Sequence, residues 1–92
     1  MFGWSEEALP YAEKFIRSRR TGTRLTGSDV RRWCLDNGCP FPTSQRAWGS
    51  VMAGLARRGL IRKIGYTLIT YEGDKYASAT SSPTPSGLWE VR

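Results

Sequence analysis

The sequence predicts an α+β fold, mostly α, in which three helices are followed by a C-terminal β-hairpin. Helical spacing of apolar residues, first over residues 9–16 and again over residues 47–55, supplies two amphipathic faces. Gly59 then stops the third helix and leads directly into a run rich in Ile, Tyr, Thr and Leu. After a stretch rich in Ser, Thr, Pro and Gly, residues 88–92 return to alternating apolar character. A chain of 92 residues fits a single domain over 1–92, and three Phe, four Tyr and four Trp can fill a modest core.

The first helix is expected from Ser5 or Leu9 to Arg20, with Leu9, Ala12, Phe15 and Ile16 facing inward. Pro10 argues for a kink, or for a regular start near Pro10 itself. Glu6 and Glu7 suit the positive end of the helix, and Arg17, Arg19 and Arg20 the negative end. Thr21, Gly22 and Thr23 break it, leaving Arg24 and Leu25 room for only a very short extended piece. Thr26, followed three residues later by Asp29, has the form of a capping box for a second helix with Val30, Trp33 and Cys34 inward. Asn37 and Gly38 end that helix, and Pro40 and Pro42 keep the next segment extended with Phe41 anchored between them.

Thr43 or Ser44 caps a third helix running to Arg58, with Ala47, Trp48, Val51, Met52 and Leu55 toward the core. From Leu60 to about Tyr71 one strand is expected, placing Ile64, Tyr66 and Leu68 on one face unless it bends at Gly65. It pairs with residues 88–92 across a flexible loop, residues 72–87. A competing register turns at residues 72–74 and pairs residues 75–80 with the strand before them. No internal repeat is visible.

Fourteen basic and eight acidic residues give a net charge of +6, and eleven of the fourteen are Arg, whose planar fork suits phosphate and guanine edges. No acidic residue occurs between Asp36 and Glu72, an interval holding Arg46, Arg57, Arg58, Arg62 and Lys63. A polyanionic partner is expected. Catalytic classes fare poorly. There is no His, and Cys34 and Cys39 alone cannot complete a tetrahedral metal site. No Gly-rich phosphate loop occurs, and Asp29 is better used at a helix start than in a carboxylate pair with Asp36. The expectation is a protein that is not an enzyme, with no metal and no cofactor. The two thiols read as reduced, with Cys34 a small core residue, although their spacing leaves a local disulfide open. No apolar run approaches membrane-spanning length, and no leader-like segment is recognised, which suggests the cytoplasm.

Three helices and a hairpin in so short a chain describe a winged helix, the helix-turn-helix variant in which the third helix enters the major groove. Its outward positions here are Gln45, Arg46, Gly49, Ser50, Ala53 and Arg57. Gln45 and Arg46 are of the types that pair with adenine and guanine edges, while the three small residues allow close approach of the helix backbone. Arg57, Arg58, Arg62 and Lys63 are expected on phosphates, and Lys75 in the wing on the minor groove or backbone. An ordinary solvated surface accounts for the same polar residues. The four Trp are expected in the core rather than as base-stacking platforms.

Residues 25–33 (LTGSDVRRW), 46–51 (RAWGSV) and 57–61 (RRGLI) resemble the second and third helices of small winged-helix proteins of bacteriophages and prophages. The closing residues 86–92 (SGLWEVR) are similar to their final wing strand. The resemblance covers about residues 24–92. It implies a DNA-binding regulator or replication accessory in the cytoplasm of a bacterial host. The long loop departs from the shorter, basic wing of such proteins. The competing reading is a protein-interaction module that docks on a host or phage protein. A homodimer on paired half-sites would need the N-terminal helix or the final strand edge to serve as its interface.

Overall fold

The computed structural model describes residues 3–44, 46–69 and 84–92. In chain order they form α1 (Trp4–Arg17), β1 (Arg24–Leu25), α2 (Gly27–Asp36), α3 (Ala47–Arg57), β2 (Ile61–Ile69) and β3 (Thr84–Val91). The architecture is α+β and mostly helical, with the three strands antiparallel in the order β1-β3-β2.

α1 begins earlier than the sequence suggests, at Trp4 after Gly3, and continues through Pro10. Pro10 is exposed, so its ring points to solvent and the helix gives up only the bond that a residue-10 N–H would have made to the Glu6 carbonyl. Ala8, Ala12, Phe15 and Ile16 form the buried face. α2 starts as expected: the Asp29 carboxylate accepts a hydrogen bond from the Thr26 backbone N–H at 2.9 Å, and the reciprocal half of the capping box is also present. At its far end Gly38 takes φ +93°, and the Cys39 N–H reaches the Leu35-turn carbonyl of Cys34 at 3.0 Å, a six-residue closure that satisfies a terminal carbonyl.

The segment after α2 is extended, as its prolines require, but Phe41 does not anchor it, being 67% exposed. Buried Cys39 does so instead, together with the Pro40 carbonyl, which accepts the Trp4 indole N–H at 2.6 Å. α3 starts at Ala47, later than the Thr43 or Ser44 cap predicts, because Ser44 closes a separate turn: its carbonyl accepts from the Ala47 N–H at 3.1 Å and its hydroxyl from the Arg46 N–H at 3.2 Å. At the C-terminus Gly59, with φ +75°, lets the Leu60 N–H reach the Leu55 carbonyl at 3.1 Å.

β2 pairs with β3 in the long-looped register, from Ile61↔Val91 through Arg62↔Glu90 and Lys63↔Trp89 to Ile69↔Thr84. Residues 84–87 of the expected loop belong to β3, while its remainder, and the competing pairing of residues 75–80, lie outside the described residues. β1 adds to the other edge of β3, with Arg24 opposite Glu90 and Leu25 opposite Trp89. The final strand is therefore the central strand of the sheet, although β1 covers its second edge only beside Trp89 and Glu90. The register shifts between Lys63 and Gly65, leaving Ile64 as an extra residue in a β-bulge. This corrects the simple alternation. Lys63, Tyr66 and Leu68 share a face with Trp89, Gly87 and Pro85, and Ile64 falls out of that row.

One core gathers all three helices and the sheet: Ile16, Val30, Cys34, Val51, Leu55, Ile61 and Val91 are almost fully buried. Burial of each large aliphatic side chain stabilises the fold by about 1.5–3 kcal/mol. Trp4 meets Trp48 edge-to-face at 4.6 Å, and Phe15 stacks on Trp33 at 5.4 Å, so these rings close the core as expected.

Candidate functional site

The α3 stripe that packs inward fixes what faces outward. With Trp48, Val51, Met52 and Leu55 buried, Arg46, Gly49, Ser50, Ala53 and Arg57 are all exposed along one side of the helix. Arg46 stands at the N-cap rather than within the first turn, and Arg57 in the last turn. Neither guanidinium has an ion pair among the described residues. Gln45 and Lys75 lie outside the described residues.

The hairpin flanks this face. Between them runs an open groove of about 390 Å³, lined by Gly27 at the start of α2, by Trp48, Gly49, Met52 and Ala53 of α3, and by Lys63, Ser86, Gly87 and Trp89 of the hairpin. Of the predicted site residues, the structure brings Gly49, Ala53 and Lys63 into this one groove. Lys63 is its cation: Nζ lies 3.1 Å from the Tyr66 hydroxyl, 4.3 Å from the Tyr66 ring centre and 5.8 Å from that of Trp89. Gly87 makes room for it, since a Cβ there would lie 3.2 Å from Lys63 Cε and 3.0 Å from Trp89 Nε1. Among the described residues, no carboxylate lines the groove.

Arg58 and Arg62 stand elsewhere. Arg62 is on the opposite face of the sheet from Lys63, held by Glu90 through Nε at 3.1 Å and an η-nitrogen at 2.8 Å. Arg58 turns back to α1 and pairs with Glu13. Beside it a larger hollow, of about 580 Å³, is lined by Glu6, Glu7, Leu9, Pro10 and Arg58. Its two free carboxylates make it a poor place for a phosphate.

No protein-family model, curated protein or solved structure matches the chain. The site is therefore read from its chemistry alone. Among the described residues, no group of three or more His, Cys, Asp or Glu is placed to hold a metal ion, and no helix is long and apolar enough to cross a membrane. Cys34 and Cys39 are both free and buried. Burial, reinforced by the neighbouring Cys39, pushes the Cys34 thiol up to about 12; burial, with Glu7 adding to it, also raises Cys39. Thiols held protonated in this way are poor nucleophiles.

The sequence reading missed Trp89, Gly87, Ser86 and Gly27 as groove residues. For Ser86, Gly87 and Trp89 the signal was the pairing of the last strand beside β2; for Gly27 it was only its place at the start of α2.

Proposed function

We propose that the chain is a non-catalytic nucleic-acid-binding protein of the winged-helix type, and that it takes duplex DNA across the outward face of α3. The observation that carries this reading is the α3 face itself: Arg46 and Arg57 exposed at its two ends, small residues between them, and Lys63 alongside, in a stretch without any carboxylate from residue 37 to residue 71. The order of helices and strands, with β3 between β1 and β2, supports the winged-helix assignment. Gly49, Ser50 and Ala53 let the helix approach base edges, Arg46 reads them from the N-terminal end, and Arg57 and Lys63 meet phosphates. The resemblance to phage and prophage proteins gives the role: a regulator or replication accessory in a bacterial cytoplasm.

The test is a duplex DNA titration at several salt concentrations. With two or three phosphate contacts, log affinity falls with log salt at a slope of about −2 to −3. Arg57→Ala lowers affinity on every sequence and flattens the slope by about 1, whereas Arg46→Ala relaxes preference for one site. Absence of binding at low salt refutes the reading. It would favour the second one, docking on a host or phage protein, for which the exposed Tyr66 and Leu68 of the hairpin speak.

A further inference from the structure

We infer that the groove between α3 and the hairpin holds an unpaired nucleotide, so that the preferred ligand is a duplex carrying a single-stranded overhang or junction. The inference rests on the nucleic-acid reading above and adds to it the class of DNA. The hairpin's inner face begins as core, with Ile61 opposite Val91, and continues through Lys63 and Trp89 to Tyr66 opposite Gly87 and Leu68 opposite Pro85. At that outer end the face leaves the helical layer: Tyr66 is 72% exposed and Leu68 67%. Gly87, directly across from Tyr66, offers no side chain to cover the ring.

An exposed ring on a cationic wall binds a π-face, and a continuous duplex hides the π-faces of its bases inside the stack. Only an end, a junction or an extruded base presents one. Tyr66 stands beside the groove, against the Lys63 that lines it, and the groove's own walls suit such a guest. Across the groove stand Gly49 and Ala53, which leave space for a flat group, and the volume of about 390 Å³ is in the range of about 300–1,000 Å³ typical of small-ligand sites. Lys63 stands between the Tyr66 and Trp89 rings, where its ammonium meets the phosphate of the nucleotide stacked beside it. Among the described residues, no carboxylate in the lining repels that phosphate.

The experiment compares a blunt duplex with the same duplex carrying a short single-stranded overhang, by fluorescence anisotropy at one low salt concentration. The full chain, Tyr66→Ala and Tyr66→Phe are measured side by side. The full chain binds the overhang more tightly by about five-fold or more, the lower end of what one stacked base contributes. Tyr66→Ala abolishes that preference while keeping affinity for the blunt duplex, and Tyr66→Phe retains the preference. Tyr66 is too exposed for either change to unfold the chain, which circular dichroism checks. Equal affinity of the full chain for both duplexes, or a preference that survives Tyr66→Ala, overturns the inference and leaves the duplex reading standing. Absence of binding to either duplex overturns both.

Discussion

Two glycines of the same chain segment are expected to respond to alanine with opposite signs. Gly49 lies inside α3, Gly59 just past its end, and a Cβ built at either meets no atom within 4 Å, so steric clash drops out of the comparison. What remains is backbone conformation. At Gly49 alanine recovers the helix propensity that glycine forgoes, about 0.8–1.0 kcal/mol. At Gly59 the φ of +75° puts an L-residue in the left-handed region, costing about 1–2 kcal/mol. In a domain of this size each kcal/mol moves the melting temperature by about 4–8 °C. Gly49→Ala therefore melts several degrees higher than the parent, and Gly59→Ala about 4–16 °C lower. Thermal unfolding followed by circular dichroism separates them. Because Gly49 lines the groove, its alanine variant is also expected to bind DNA more weakly while being more stable, which folding loss cannot mimic. A Gly49→Ala protein that melts lower, or a Gly59→Ala protein that melts unchanged, refutes the helix boundaries from which these values follow.

Asp29→Ala removes one arm of the α2 capping box and is expected to cost about 0.5–2 kcal/mol, read as a lower urea midpoint with unchanged slope. Cys34 makes stability fall in alkali: above pH 9 the unfolded thiol ionises while the folded one stays protonated to about 12, so the unfolded state gives up a proton that the folded state keeps and rising pH favours unfolding. Urea unfolding between pH 8 and 11 should thus show the parent losing stability faster than Cys34→Ala; parallel curves would contradict the buried thiol. Arg62→Ala, which breaks an exposed pair with Glu90, is expected to change stability by less than about 1 kcal/mol. It should also alter the DNA salt slope less than Arg57→Ala does, and an equal effect would place Arg62 on the phosphate backbone after all.

The parts legible in the sequence are those whose signals are local. The α3 stripe, the Thr26–Asp29 box and the Gly59 stop each depend on residues a few positions apart, and each is present in the structure. The small outward face of α3 follows from the same periodicity. Of the distant pairings, that of β2 with β3 was legible from the apolar alternation of both segments, and that of β1 was not. β1 is only two residues long and takes its partner from the far end of the chain. The bulge at Ile64 breaks the two-residue period on which the predicted face of β2 relied. The basic cluster was misjudged for a related reason: charge counting along the chain does not show that Glu13 claims Arg58 or that Glu90 claims Arg62. Arg46, Arg57 and Lys63 are what remains for a partner.

Among the described residues, the only carboxylate in the sheet's ladder, Glu90, has Arg24 across from it on one side and Arg62 on the other, next to the closed apolar pair Ile61 and Val91. Fourteen residues separate the ends of this ladder, and a connection of that length exerts little control over how two strands line up, because its closure entropy changes slowly with length. Alignment is then dictated at the root of the hairpin, by a charge that fits one register and an apolar pair that fits the same one. A change of length between Ile69 and Thr84 is therefore expected to leave Lys63, Gly87 and Trp89 in place around the groove, because the root of the hairpin keeps its register.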